Sequence, residues 1–201
     1  MPGQLSFFSA GSQDPRPEDL AGVLCGPGQI VRRGSAARIS VVLTEIWRVR
    51  ALVEEFARRG LDGDVVTAGP ADGWLAVDAT AHSVRTPFAS PLMGLGLEWG
   101  SSGGGKVPPA RLVIDGPTLR LWYLVAGRPW ETGYVLGLGE HDDACWEPVG
   151  GALAQAGLPA AFVGPRGAGP AYRIIGARRI RRLGELVGDP PEGAPEGIWP
   201  R

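Results

Sequence analysis

Leu20-Ala21-Gly22-Val23-Leu24-Cys25-Gly26-Pro27-Gly28 is a short apolar run, rich in small residues, that stops at a Pro-Gly pair. Leu119-Arg120-Leu121-Trp122-Tyr123-Leu124-Val125-Ala126-Gly127 has the same form and also stops at glycine. The two closing glycines, Gly28 and Gly127, are 99 positions apart. Pro17-Glu18-Asp19 suits a helix start ahead of the first run, because proline fits the first turn and carboxylates face the positive helix end. Pro27 must end that helix, since it has no N–H and crowds the preceding turn.

Working outward, residues 30–33 and 38–43 read as strands around a Gly34-Ser35 turn. Ile39, Val41 and Leu43 fall on one face, with Arg38 and Ser40 on the other. Thr44 is placed to cap a helix in which Val49, Leu52, Val53, Phe56 and Ala57 share one face. Arg58, Arg59 and Gly60 mark its end. Strand patterns follow at 64–68 and 74–85, then a short apolar helix at 91–99. Residues 101–109, with three consecutive glycines, read as a linker. The order then returns: a helix at 118–125, a strand at 134–138, a helix through Val149, Leu153 and Ala156, strands at 160–163 and 171–175, and a helix through Ile180, Leu183 and Val187. One strand of the second half's first pair has no clear pattern. This order predicts an α+β chain of two pseudo-symmetric αββαββα repeats. The expected divisions are an arm (1–16, anchored by Phe7 and Phe8), a first repeat (17–100), a linker (101–116), a second repeat (117–189) and a frayed Pro/Gly/Glu-rich tail (190–201).

The chain has 201 residues, 44% hydrophobic and 20% charged, so it can bury a core. Its 32 glycines and 19 prolines punctuate periodic segments, which implies a loop-rich folded chain. The net charge is −1, with all but one of the 20 basic residues arginine, so the total charge argues against a nucleic-acid partner and only a local positive patch could bind one. Cys25 and Cys145 lie in apolar stretches without a CxxC or Cys/His cluster, and read as buried thiols in a reducing, cytoplasmic setting. No signal peptide and no apolar run long enough for a membrane span are visible.

The two apolar runs resemble the paired signature helices of LAGLIDADG homing endonucleases. Gly104-Gly105-Lys106-Val107-Pro108 is similar to that family's inter-repeat stretch, and Ala171-Tyr172-Arg173-Ile174-Ile175 to its closing strand. The resemblance covers roughly residues 17–189. It implies two saddle-shaped antiparallel sheets around two packed helices, a duplex DNA partner, and an internal twofold that lets a monomer do the work of a dimer. It also implies a Mg²⁺-binding aspartate at the foot of each signature helix. Here those positions hold Pro27 and Ala126, and Cys25 and Val125 replace other often acidic positions. A hard oxygen-seeking cation finds no side-chain ligand there. The expectation is a DNA-binding protein that does not cleave, needs no cofactor, and acts as a regulator; some bacterial transcription regulators carry a degenerate copy of this fold. Two alternatives stand beside it. One is a divergent active endonuclease using Mg²⁺ and other acids, such as Asp19 or Glu131. The other is a protein-interaction module that keeps only the fold, which exposure of Trp74, Trp130 and Trp199 would favour.

The DNA-contact candidates are Arg32, Arg33, Arg38, Ser40, Arg85, Lys106, Arg128, Thr132 and Arg173. Arginine suits phosphates and guanine edges; a solvated sheet face would carry the same residues. Arg178, Arg179, Arg181 and Arg182 read as a solvated helix face. Glu140, His141, Asp142 and Asp143 read as a helix cap, since their spacing matches no zinc pattern. Gly103 to Lys106 is not a phosphate-binding loop, because Val107 stands where such a loop needs Ser or Thr.

Overall fold

The computed structural model describes residue 10 and residues 13–67, 80–102, 105–164 and 169–201. Phe7 and Phe8, Ala68, residues 74–79 of the expected 74–85 strand, and Gly103 and Gly104 lie outside the described residues.

A 3-10 turn, Pro17–Leu20, runs directly into α1 (Ala21–Cys25), whose side chains are all buried. Then come β1 (Gln29–Arg33), β2 (Ala36–Leu43), α2 (Ile46–Ala57), β3 (Asp64–Thr67), β4 (His82–Arg85) and α3 (Met93–Glu98). A small hairpin, β5 (Gly100–Ser102) with β6 (Gly105–Val107), leads to α4 (Gly116–Ala126). The second half continues with β7 (Gly127–Trp130), β8 (Gly133–Gly137), α5 (Asp143–Gln155), β9 (Ala161–Val163), β10 (Ala171–Ile175) and α6 (Ala177–Val187).

The two large sheets have matching strand orders, β1-β2-β4-β3 and β7-β8-β10-β9, all antiparallel. Within each half the elements recur in the predicted order, and β7 supplies the strand that the sequence left unclear. α1 and α4 pack together at the centre, closely enough that a Cβ on Gly22 would lie 1.9 Å from the Thr118 carbonyl oxygen. Glycine is required there by contact with the facing backbone. α4 is buried along nearly its whole length. Its N-terminus is capped by Asp115, which accepts from the Thr118 N–H at 3.0 Å. Leu119, Leu121, Trp122, Tyr123 and Leu124 are almost wholly buried.

Two expectations change. The stretch expected as a linker holds the β5–β6 hairpin, because Gly105 lets the strand lie against the His141 carbonyl, where a Cβ would come within 2.2 Å. The tail does not fray through Trp199: the Tyr123 hydroxyl donates to the Ile198 carbonyl at 2.6 Å, and the Trp199 indole N–H donates to Gly188 at 2.7 Å. Trp199 is buried edge-to-face against Tyr123, and Trp130 is half-buried. The exposed tryptophans that would favour an interaction module are therefore not found among the described residues. No described helix is long and apolar enough to cross a membrane.

Candidate functional site

Gly26 ends α1, and a Cβ on it would touch Trp122, Val125 and Ala126 of α4 at 3.2–3.4 Å. Pro27 is exposed and Ala126 half-buried. Neither offers a side-chain oxygen. What the feet do hold is the protein's own cations. Arg48 of α2, 4% exposed, donates to the carbonyls of Tyr123, Leu124 and Gly127 at 2.6–3.2 Å, and its Nε bonds the Glu45 carboxylate. Lys106, 3% exposed, donates to the Gly26 carbonyl at 3.2 Å and pairs with the Asp142 carboxylate, which also accepts the Lys106 backbone N–H at 2.8 Å. Glu45 and Asp142 are the N-cap residues of α2 and α5, so α2 of the first repeat sends Arg48 to the end of α4, and the β5–β6 hairpin sends Lys106 to the end of α1, each cation held by a cap carboxylate. Both negative helix ends are thereby neutralised internally. The residues present do not fit a divalent ion: the carboxylates are missing at the feet, and the nearby Glu45 and Asp142 are already paired to cations.

Lys106 is therefore corrected as a surface contact. It lies beneath the α1 foot, where the Cys145 thiol also contacts its carbonyl at 3.2 Å. Burial raises the Cys25 thiol far above its usual range, with a further push from Cys145. Burial, opposed by Lys106, raises Cys145 to about 11. Both thiols are protonated at neutral pH. His141 and Glu140 are exposed, and no group of three or more His, Cys, Asp or Glu among the described residues is placed to hold a metal.

Asp19, an alternative acid for cleavage, is 2% exposed and tied to Arg59 at 2.9 Å. It lies just before α1, at the opposite end of that helix from its foot. Arg59 also pairs with Glu55, which Arg120 of α4 reaches at 3.0 Å. Burial pulls the Glu55 carboxyl up, but hydrogen bonds and charge from Arg59 and Arg120 outweigh it and leave it below its ordinary value. Glu131, the other alternative, sits with Thr132 in the exposed β7–β8 turn, in a left-handed backbone (φ 47).

The open sheet faces collect most of the remaining candidates. Gln29, Ser40, Arg85 and Asp64 lie in one row across the first sheet, Val31 and Arg38 in the next, and Arg33 and Ala36 beyond. Arg33 and Arg38 both place their guanidinium carbons 4.1 Å from the Phe88 ring centroid. Phe88 was not singled out from sequence, where a lone aromatic between a strand and a helix carries no signal. Across the second sheet Arg128, Val135, Arg173 and Ala161 form one row, and Arg128 lies 5.1 Å from the Trp130 ring. Arg85 is neutralised by Asp64 at 2.7 Å. Arg33, Arg38, Arg128 and Arg173 have no carboxylate partner among the described residues, and the Nε atoms of Arg38 and Arg173 are buried without a hydrogen bond. Arg32 is corrected to the other face: neighbours on a strand point oppositely, and Arg32 packs against α3, its Cγ 3.0 Å from where a Gly96 Cβ would lie.

Among solved structures, the chain is similar to the homing endonuclease I-WcaI bound to its DNA recognition sequence: 14% identity, TM-score 0.60, over 92% of this chain and 82% of that one. It is also similar to the N-terminal LAGLIDADG domain of DUF199/WhiA: 12% identity, TM-score 0.56, over 87% of this chain and 82% of that one. No family sequence profile and no curated relative matches the chain. At these identities the likeness shows a LAGLIDADG-like fold.

Proposed function

We propose that the chain binds duplex DNA across the open faces of its two sheets and leaves the phosphodiester backbone intact. The observation that carries this reading is the pair of arginines, Arg38 and Arg173, one on the open face of each sheet and neither with a carboxylate partner among the described residues. A guanidinium fork left without a carboxylate matches phosphate oxygens or a guanine edge. Arg33 and Arg128 add unpaired charge beside them, and Phe88 and Trp130 hold these side chains flat. Ser40 and Thr132 lie on the same surface and at its tip. The similarity to I-WcaI, a homing endonuclease bound to its DNA recognition sequence, supports DNA as the ligand.

Cleavage by the metal route has no ligands at Pro27 and Ala126, and the helix ends are already served by Arg48 and Lys106. The protein therefore acts as a binder, in the manner of a regulator or an architectural factor, with the repeats at 17–100 and 117–189 each contributing one sheet. The test is a gel-shift series with wild type and Arg38→Gln/Arg173→Gln. The double variant should bind at least tenfold more weakly at low salt, since each charged hydrogen bond lost is worth about 1.5 kcal/mol or more. Equal affinity, or strand breaks in plasmid incubated with wild type and Mg²⁺, would sink the reading.

A further inference from the structure

α6 leaves the second sheet carrying Arg178, Arg179, Arg181 and Arg182 within little more than one turn. With Glu185, Gly157 and Pro159 they line a groove of about 550 Å³. Arg179 donates to the Pro159 carbonyl at 3.2 Å, which fixes one wall. Glu185 is the only acid lining it among the described residues, and its contacts to Arg182 and Arg181 are loose, at 3.6 and 3.8 Å. Arg178 and Arg179 have no carboxylate within 4.0 Å among the described residues, and they sit at the positive end of the helix, where nothing in α6 offsets them. The counterpart helix of the first half, α3, reads MGLGLE and has no cation. In a chain of net charge −1, this concentration of positive charge belongs to one half only.

The topology joins the groove to the open face. Arg173 pairs in register with Ala161 at the sheet edge. The chain before Ala161 comes from Pro159, and the chain after β10 enters α6 at Ala177. Both sides of that pair run straight into the groove, so positive charge continues from Arg173 over the edge of the second sheet. The arginine fork matches phosphate oxygens two at a time.

We infer that the α6 groove is a second phosphate site, which grips the DNA backbone beyond the second sheet and makes the footprint longer on that side than on the other. This rests on the DNA-binding reading of the open faces. The chain is compared with Arg178→Gln/Arg179→Gln/Arg181→Gln/Arg182→Gln by fluorescence anisotropy across a salt series. The probes are the shortest duplex that the variant still binds and a duplex one turn longer at each end, about 10 bp per turn. Wild type should show a salt slope steeper by about 2–4 on the longer duplex, at about 0.9 per phosphate contact. The variant should show one slope on both probes and keep wild-type affinity for the short one. Equal slopes in wild type overturn the second site while the open-face reading stands. Binding of a poly-glutamate peptide that needs the four arginines, with duplex slopes unchanged, also overturns it, because the groove then serves an acidic protein partner. If wild type binds neither duplex, both readings fall.

Discussion

Lys106→Met should be the most damaging single substitution of a charged residue in this protein. The ammonium is 3% exposed and pairs with Asp142, also 3% exposed, while it donates to the last carbonyl of α1. Methionine keeps the stem volume but leaves one Asp142 oxygen and the Gly26 carbonyl without a donor. Removing one partner of a buried ion pair costs about 3–5 kcal/mol. For a chain of this size 1 kcal/mol moves the melting temperature by about 2–4 °C, so the expected drop is about 6–20 °C. The assay is thermal unfolding followed by far-UV circular dichroism, checked by urea titration. Asp142→Asn should cost a similar amount, because it strands the ammonium instead. The double variant Lys106→Met/Asp142→Asn should lose much less than the sum, since the amide oxygen can still accept the residue 106 backbone N–H and no buried charge remains. A single-variant loss under about 1 kcal/mol, or strict additivity in the double variant, would refute the idea that this pair holds the α1 foot in place of a metal.

Other outcomes follow from the same geometry. Gly22→Ala should destabilise the chain by about 3 kcal/mol, at the top of the overpacking range, because its Cβ would meet the Thr118 carbonyl at 1.9 Å; chemical denaturation reads this directly, and a neutral result would mean the central helices are not this close. Glu55 has a folded-state carboxyl below its ordinary value of 4.5, so its contribution to stability is complete above about that pH and is lost as acid titrates it through the lowered value. Wild type should therefore lose more stability than Glu55→Gln between neutral pH and pH 3, and identical acid profiles would contradict the Arg59–Glu55–Arg120 network. Cys25 and Cys145 should resist a thiol reagent at pH 8 in the native state and react fully in denaturant, since burial raises Cys145 to about 11 and Cys25 further; fast native labelling would contradict their enclosure.

The helices and most strands were legible because apolar spacing and glycine stops are local signals. β7 was not, since Gly127-Arg128-Pro129-Trp130 has no alternation and contains a proline; it forms because it is an edge strand, where Pro129 forfeits no ladder bond. Lys106 read as a surface linker residue because its partner, Asp142, is 36 positions away and only the fold brings them together. Arg48 escaped notice for the same reason: its acceptors lie 75–79 positions downstream. Arg32 and Arg33 were both assigned to the binding face although strand alternation permits only one of them. The vacancy of acid at Pro27 and Ala126 was plain in the sequence. The cations that sit at those helix ends were visible only in three dimensions.

The most direct measurement is duplex affinity as a function of salt in the presence of EDTA. With Arg33, Arg38, Arg128 and Arg173 each releasing a counterion at the open face, log K should fall against log salt with a slope of at least about 3–4, and added Mg²⁺ should bring no strand scission. Absence of binding at low salt, or binding that appears only with a divalent ion and ends in cut DNA, would contradict the account.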